Sequence, residues 1–238
     1  MLGFRLVVGF GPCHSWRMDI EPLTQPPTGN VKVTRADWIA LAMETLVRDG
    51  VESVKILTLG QKLGVSRSSF YWYFRDRQDL LDQLLAFWLE KNTKGIVERA
   101  QRPAPSIVRS ILNVFECWAD EDIFDPKLDF AVREWARRTP AVRRAVTRAD
   151  DTRVNSVRDL YLRFGFSKED ALIRARVLYC MQIGYYFLGV REPAEVRLSH
   201  AAAYLRSFTG EKPSPEDLEQ FGEFVLRLSR TKRKGRAR

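Results

Sequence analysis

The sequence predicts an all-α protein, and three observations carry that reading. Between about residues 31 and 230, apolar residues recur three and four apart, the spacing that lines one face of a helix. Period-two alternation of β-branched residues is nearly absent over the same span. Proline and glycine punctuate the pattern where helices should end: Gly50, Gly64, Pro103 and Pro105, Pro126, Pro140, Gly165, Pro193, Gly210, Pro213 and Pro215.

The elements follow in order. Residues 1–32 hold Pro12, Pro22, Pro26 and Pro27 and are expected to form a disordered arm. Residues 1–17 fit nothing that follows, so Met18 is the expected start. The short apolar run before it lacks the cleavage site of a secretory signal, and the expected location is cytoplasmic. Thr34 and Asp37 have the spacing of a capping box, and the helix they open carries Trp38, Ala42, Thr45 and Leu46 on one face up to Gly50. A second helix is predicted over Val54–Leu63, closed by Gly64 in a left-handed turn. Ser66 then caps SRSSFYWYF, whose buried face is Phe70 and Phe74, with Trp72 also expected in the core. Asp76 and Asp79 open a fourth helix that continues to about Gln101. Further helices are expected at roughly 106–119, 126–138, 140–164, 168–189, 193–208 and 215–229.

Charge narrows the partners. The net charge is +9, but residues 103–226 are nearly balanced. The excess sits in residues 31–102, which hold twelve basic and nine acidic groups, and in residues 227–238, which hold seven basic groups and no acid. Basic patches attract polyanions, nucleic acid above all. Cys13, Cys117 and Cys180 make no disulfide framework or metal spacing, and His14 and His200 form no cluster. No apolar run is long enough for a transmembrane helix. The acidic run Asp120, Glu121, Asp122 and Asp125 reads as an interhelical loop. With no nucleophile beside a base and no phosphate loop, neither an enzyme nor a cofactor is expected.

Residues 54–73 carry the functional motif, a helix-turn-helix. Gly60 lets a neighbouring element approach closely, and Val65 plugs the space behind the turn. The outer face of the second helix presents Ser66, Arg67, Ser68 and Ser69. These are short hydrogen-bonding groups and one forked donor, able to enter a major groove and pair with guanine. The phenols of Tyr71 and Tyr73 can donate to phosphates, and Arg75 and Arg77 lie at the next helix N-terminus, which favours an anion.

The order GQKLGVSRSSFYWYFRDRQDLL resembles the TetR (tetracycline-repressor) family over about residues 33–92. The resemblance implies base or phosphate contacts from Arg67, Ser68 and Ser69, and phosphate contacts from Tyr71, Tyr73 and Arg77. Tyr73 stands where the family often has histidine, and Gly60 where it usually has alanine. The motif's first helix lacks the family's threonine-rich start, so only Lys55 and Thr58 carry over there. The expected domains are then the arm, a DNA-binding domain at 33–92, a helical effector-binding and dimerisation domain at 93–229, and a basic tail at 230–238. Of the aromatic side chains in the larger domain, Phe115, Trp118, Phe130, Trp135, Tyr161 and Tyr185 are the expected lining of an effector pocket. VLYCMQIGYYFLGV, residues 177–190, is apolar nearly all round and is expected at a subunit interface. The sum is a ligand-responsive regulator, a repressor, binding double-stranded operator DNA as a homodimer. An unidentified small-molecule effector would shift the Arg77–Gln101 helix and so the spacing of the two recognition helices.

Overall fold

A computed structural model describes residues 33–190 and 192–236, with side chains as far as Thr231. The expected arm, the position of Met18 and the last two residues of the basic tail lie outside the described residues. No strand occurs among those described, and the fold is all-α. The chain divides into two compact units, one of residues up to Trp88 together with Lys127–Arg143, the other of Leu89–Pro126 and Arg144 onward.

The first unit opens with helix α1, Arg35–Asp49. Its capping box forms as the sequence predicts: the Asp37 amide donates to Thr34 Oγ1, and Asp37 Oδ2 accepts from the Thr34 amide at 2.7 Å. Trp38, Ala42, Met43, Thr45 and Leu46 are buried, and Gly50 ends the helix with φ +79°. A 3₁₀ turn over Val51–Ser53 precedes α2, Ile56–Leu63, so the second helix begins two residues later than expected. Gly64 closes α2 in the left-handed region, φ +70°. Helix α3 covers only Arg67–Phe70, and α4 runs Arg77–Trp88. Residues 127–143 add most of α7, Pro126–Arg138, and the start of α8, Pro140–Arg163. Both helices place proline at their first position, where its missing N–H costs nothing. The α4 indole is tied to α7, Trp88 Nε1 donating to buried Asp129 Oδ1 at 2.8 Å. Arg133 Nε donates to the other oxygen of that carboxylate at 2.7 Å. This unit therefore takes in residues beyond the expected 33–92 segment.

The second unit is built around α6, Ile107–Ala119, ten of whose residues are buried. It packs against α5 (Lys94–Gln101), α10 (Ala194–Thr209) and α11 (Pro215–Arg236). Helix α9, Lys168–Phe187, and the later part of α8 complete the core through Val157, Leu160, Tyr161, Ala171, Ala175 and Leu178. Side-chain caps mark the starts of three of these helices: Ser106 for α6, Ser167 for α9, and Ser214 paired with Asp217 for α11. Between α4 and α5 the expected continuous helix widens into one π-helical turn, Leu89–Thr93. Inside it, the buried Asn92 amide donates to the Asp125 carbonyl at 2.9 Å and accepts from the Asp125 amide at 3.1 Å. Helix α11 continues to Arg236, well past the expected end at residue 229, so the described part of the basic tail is helical.

Candidate nucleic-acid interface and ligand cavity

Helix α3 is anchored from behind. Phe70 stacks on Phe74 with ring centroids 4.9 Å apart, and Trp38 meets Phe70 edge-on at 5.2 Å. All three are buried. Gly60 permits the turn: a Cβ there would lie 3.2 Å from the Val65 carbonyl oxygen and 3.4 Å from the Trp38 ring. The Val65 amide donates to the Gly60 carbonyl at 3.0 Å and closes the turn. At the head of α4, the Asp79 amide donates to Asp76 Oδ1 and the Arg75 amide donates to Asp79 Oδ2. That backbone hydrogen bond, helped by the Gln83 amide, holds the Asp79 carboxyl below the usual aspartate range.

The outward face of α3 carries Ser66, Arg67 and Ser68, all exposed, with Ser69 half-buried. Arg67 Nη2 donates to the Tyr71 hydroxyl at 2.9 Å, and the two serine hydroxyls of Ser66 and Ser68 lie 2.7 Å apart. The arginine thus stands pre-oriented along the helix, with its remaining N–H groups available. Lys55 is exposed at the N-cap position of α2, and Thr58 is half-buried on that helix.

One expectation needs correcting, and two expected contact residues are engaged within the fold. Trp72 is not a core residue but 85% exposed. The backbone leaves the helix after Phe70, and Phe70 and Phe74 occupy the inward direction between them. Trp72 therefore joins the outer face beside half-exposed Tyr71. Tyr73 does not present a free phenol, because its hydroxyl donates to the Val33 carbonyl at 2.9 Å. The Arg77 guanidinium is engaged in the fold: Nε donates to the Val54 carbonyl and Nη2 to the Val51 carbonyl, each at 2.6 Å. The first turn of α4 lies against the chain leading into α2, so this arginine ties α4 to the carbonyls there.

The second unit contains a cavity of about 300 Å³ between α6, α9, α10 and α11. Three of the residues expected around an effector, Phe115, Trp118 and Tyr185, line it together with Tyr186, Tyr204 and Phe221. Three other expected lining residues lie elsewhere. Tyr161 is fully buried in the core, its hydroxyl donating to the Phe208 carbonyl at 3.3 Å, and burial raises its pKa. Phe130 and Trp135 are on α7 in the first unit, beside Leu46 and Gly50. Aromatic content alone could not separate these positions. The missed lining residue with a readable signal is Gln182, an amide inside the otherwise apolar run 177–190. Among the described residues, Trp118 Nε1 is buried without a hydrogen-bond partner, and the buried Gln182 amide lies against the Tyr186 hydroxyl. The Tyr186 hydroxyl donates to the Trp118 carbonyl at 2.7 Å, and the Tyr185 hydroxyl donates to Glu192. Burial, reinforced by Glu192, pushes the Tyr185 phenol up to about 12, so it stays a neutral donor. Among the described residues no group of His, Cys, Asp or Glu could hold a metal ion, and no helix is long and apolar enough to cross a membrane.

Residues 39–84 match the sequence profile of the bacterial regulatory proteins of the tetR family. Over 62 residues the chain is 36% identical to the class A tetracycline repressor protein of transposon 1721 from Escherichia coli. That match spans 26% of this chain and 29% of the repressor's length. Two solved structures share the fold. One is a protein of Rhodococcus sp. assigned to the TetR family of transcriptional regulators, with TM-score 0.53 and 14% identity over 73% of this chain and 97% of that one. The other, from Mesorhizobium loti and assigned likewise, has TM-score 0.53 and 18% identity over 75% of this chain and 98% of that one. The likeness to the tetR family of bacterial regulatory proteins therefore rests on the N-terminal segment, residues 39–84.

Proposed function

We propose that this chain is a ligand-responsive transcriptional repressor that binds a pseudo-palindromic operator as a homodimer. The observation that carries the reading is the outer face of α3, with Ser66, Arg67 and Ser68 exposed on a helix fixed from behind by the Phe70–Phe74 stack. Such a helix can lay short polar groups and one guanidinium against base edges. Tyr71 and Trp72 add exposed aromatic surface beside them, and Lys55 adds a charge.

Pairing of two subunits is supported by apolar surface that a single chain leaves uncovered. On α9, Ile173 is 50%, Val177 54% and Phe187 75% exposed. Val196 and Tyr204 are exposed on α10. Two antiparallel copies of this helix pair would cover those faces, which isologous packing allows. The aromatic-walled cavity supports effector binding. The chain passes from one unit to the other after Trp88, Pro126 and Arg143.

The test is selection of bound sequences from a random duplex pool by the purified protein, followed by affinity against salt concentration. An enriched pseudo-palindrome with a steep salt dependence is expected. Arg67→Ala should cost about 1–3 kcal/mol at its base pair and relax preference there. Unchanged affinity and preference in that variant would remove α3 as the reader. A reporter driven from the selected operator distinguishes repression, the expected result, from activation.

A further inference from the structure

We propose that the corner between α7 and α8, with Arg137, Arg138 and Arg143, is a second contact of the first unit with duplex DNA, made to the phosphate backbone outside the helix-turn-helix. The inference rests on the DNA-binding reading and deepens it.

The distribution of charge within the first unit comes first. From Val33 to Trp88, the stretch that holds the whole helix-turn-helix, there are seven basic and seven acidic side chains. Residues 127–143, which belong to the same compact unit, hold five basic and two acidic ones. The positive excess of these two stretches therefore sits on α7 and the start of α8. Affinity for duplex DNA that is independent of sequence comes from neutralising phosphates. A reader with no net charge supplies it only through local outward cations such as Arg67 and Lys55.

Internal pairing does not absorb the excess. Asp129 is buried and accepts from Arg133 at 2.7 Å, so that pair is closed within the fold. Glu134, the other acid, stands 3.7 Å from Arg137 with both side chains largely in water, a geometry that contributes little. Arg137, Arg138 and Arg143 are all exposed. Helix electrostatics explains two of the three, because Arg137 and Arg138 lie in the last turn of α7, where the dipole favours a cation. Arg143 is the fourth residue of α8, near the end where the dipole opposes a cation, and no acid accompanies it in the first turn. A basic helix end is thereby accounted for, and a basic corner is not.

Position points the same way. Arg138 shares a surface hollow with Asp49, Gly50, Val51 and Glu52, the chain that leads from α1 into α2. The Asp49 carboxylate there already accepts from Arg48 at 2.8 Å. Lys55, exposed at the N-cap position of α2, follows three residues after Glu52. The first helix of a helix-turn-helix crosses the DNA backbone, so the corner prolongs the backbone-facing surface that Lys55 begins. An anionic bilayer is a poorer partner. Among the described residues, none of the exposed large apolar side chains lies in 127–143, which leaves nothing to insert.

The experiment measures affinity against salt concentration for the full chain, on the selected operator and on a random duplex. One variant combines Arg137→Gln, Arg138→Gln and Arg143→Gln. A control combines Lys168→Gln, Arg206→Gln and Lys212→Gln, which removes the same charge from exposed positions of the second unit. The corner variant should bind both duplexes about tenfold or more weakly at low salt. Its slope of log affinity on log salt should be shallower by about 2 or more, since each phosphate contact contributes about 0.9. Base preference should not change, because phosphates carry no sequence. The control should keep the slope of the unaltered protein. Circular dichroism confirms that the variants are folded, and Arg138→Gln alone, expected to lower the slope by about 0.9, decides the matter if the triple variant is not. An unchanged slope in the folded corner variant, an equal fall in the control, or an altered base preference overturns the proposal. So does loss of binding to phosphatidylserine vesicles with duplex binding intact. Failure of the unaltered protein to bind any duplex sinks the DNA-binding reading itself, whereas operator binding with an unchanged slope in the corner variant sinks the corner alone.

Discussion

Trp88 and Trp118 are both buried indoles near the ends of amphipathic helices, yet their N–H groups are treated oppositely. In the first unit, Trp88 Nε1 donates to Asp129 at 2.8 Å, and that carboxylate also receives Arg133. In the second, Trp118 Nε1 meets no acceptor among the described residues, although the side chain lines a cavity. Trp38 shows that a missing partner is not enough to define a site, because its unpaired Nε1 belongs to a ring packed on Phe70 and against Gly60. Trp118 differs in that its ring also lines the cavity of the second unit. The difference teaches that a buried indole N–H on an amphipathic helix is satisfied only where another helix brings a carboxylate to it, as α7 does for Trp88.

Four substitutions or titrations would break or sharpen that contrast. The largest effect is expected from Asp129→Ala, which strands the Trp88 donor and the Arg133 charge. A loss of about 3–5 kcal/mol in denaturant unfolding is expected from breaking a buried, charged pairing. A loss under about 1 kcal/mol, the worth of one ordinary hydrogen bond, would mean that this pairing does not hold the unit. Next comes Arg77→Ala, which removes two hydrogen bonds to carbonyls at 2.6 Å and should cost about 1.5–3 kcal/mol of stability. Arg67→Ala is its control: exposed, and expected to stay within about 0.5 kcal/mol in stability while weakening operator binding. Equal stability losses in the two would erase the distinction between a structural and a reading arginine.

A third test asks whether the second unit is loosely built throughout. A Cβ at Gly95 would lie 2.5 Å from Ile123 Cγ2, so Gly95→Ala should cost about 1–3 kcal/mol by overpacking. A neutral result would indicate slack well beyond the cavity. The smallest effect, nil at neutral pH, concerns Cys117. Burial pushes its thiol up to about 12, so the folded chain holds that proton more firmly than the unfolded chain, whose thiol sits near about 8.5. The thiol's contribution is complete below about pH 8.5 and is lost as pH rises toward 12. Stability should therefore fall less steeply above pH 8.5 in Cys117→Ala than in the unaltered protein. Parallel slopes would exclude the thiol as a source of alkaline lability.

Much of the fold is legible in the sequence because its ends are chemically marked. Thr34 with Asp37, Gly50, Gly64, Asp76 with Asp79, and Gly210 act locally, through hydrogen bonds within a few residues or a positive φ. The helix-turn-helix is legible for the same reason, since Phe70, Phe74 and the serines belong to one short stretch. What stayed hidden depends on distant partners. The aromatic run FYWYF continues a helical pattern, but the backbone stops at Phe70, and Trp72 turns outward. Nothing near Arg77 in sequence reveals the carbonyls of Val51 and Val54. Trp135 and Trp118 look alike as aromatic residues on amphipathic helices, and only tertiary packing assigns one to the first unit and the other to the cavity.

The membership of α7 in the first unit limits how the reader can be inherited or transplanted. Leu128, Val132, Trp135 and Ala136 are buried on that helix, and Asp129 completes Trp88. A fragment ending near residue 92 would carry the whole helix-turn-helix and yet lack one wall of the unit that supports it. Recombination that exchanges the second unit must cut the chain on both sides of residues 127–143, or else replace that stretch with one whose buried carboxylate meets the same indole.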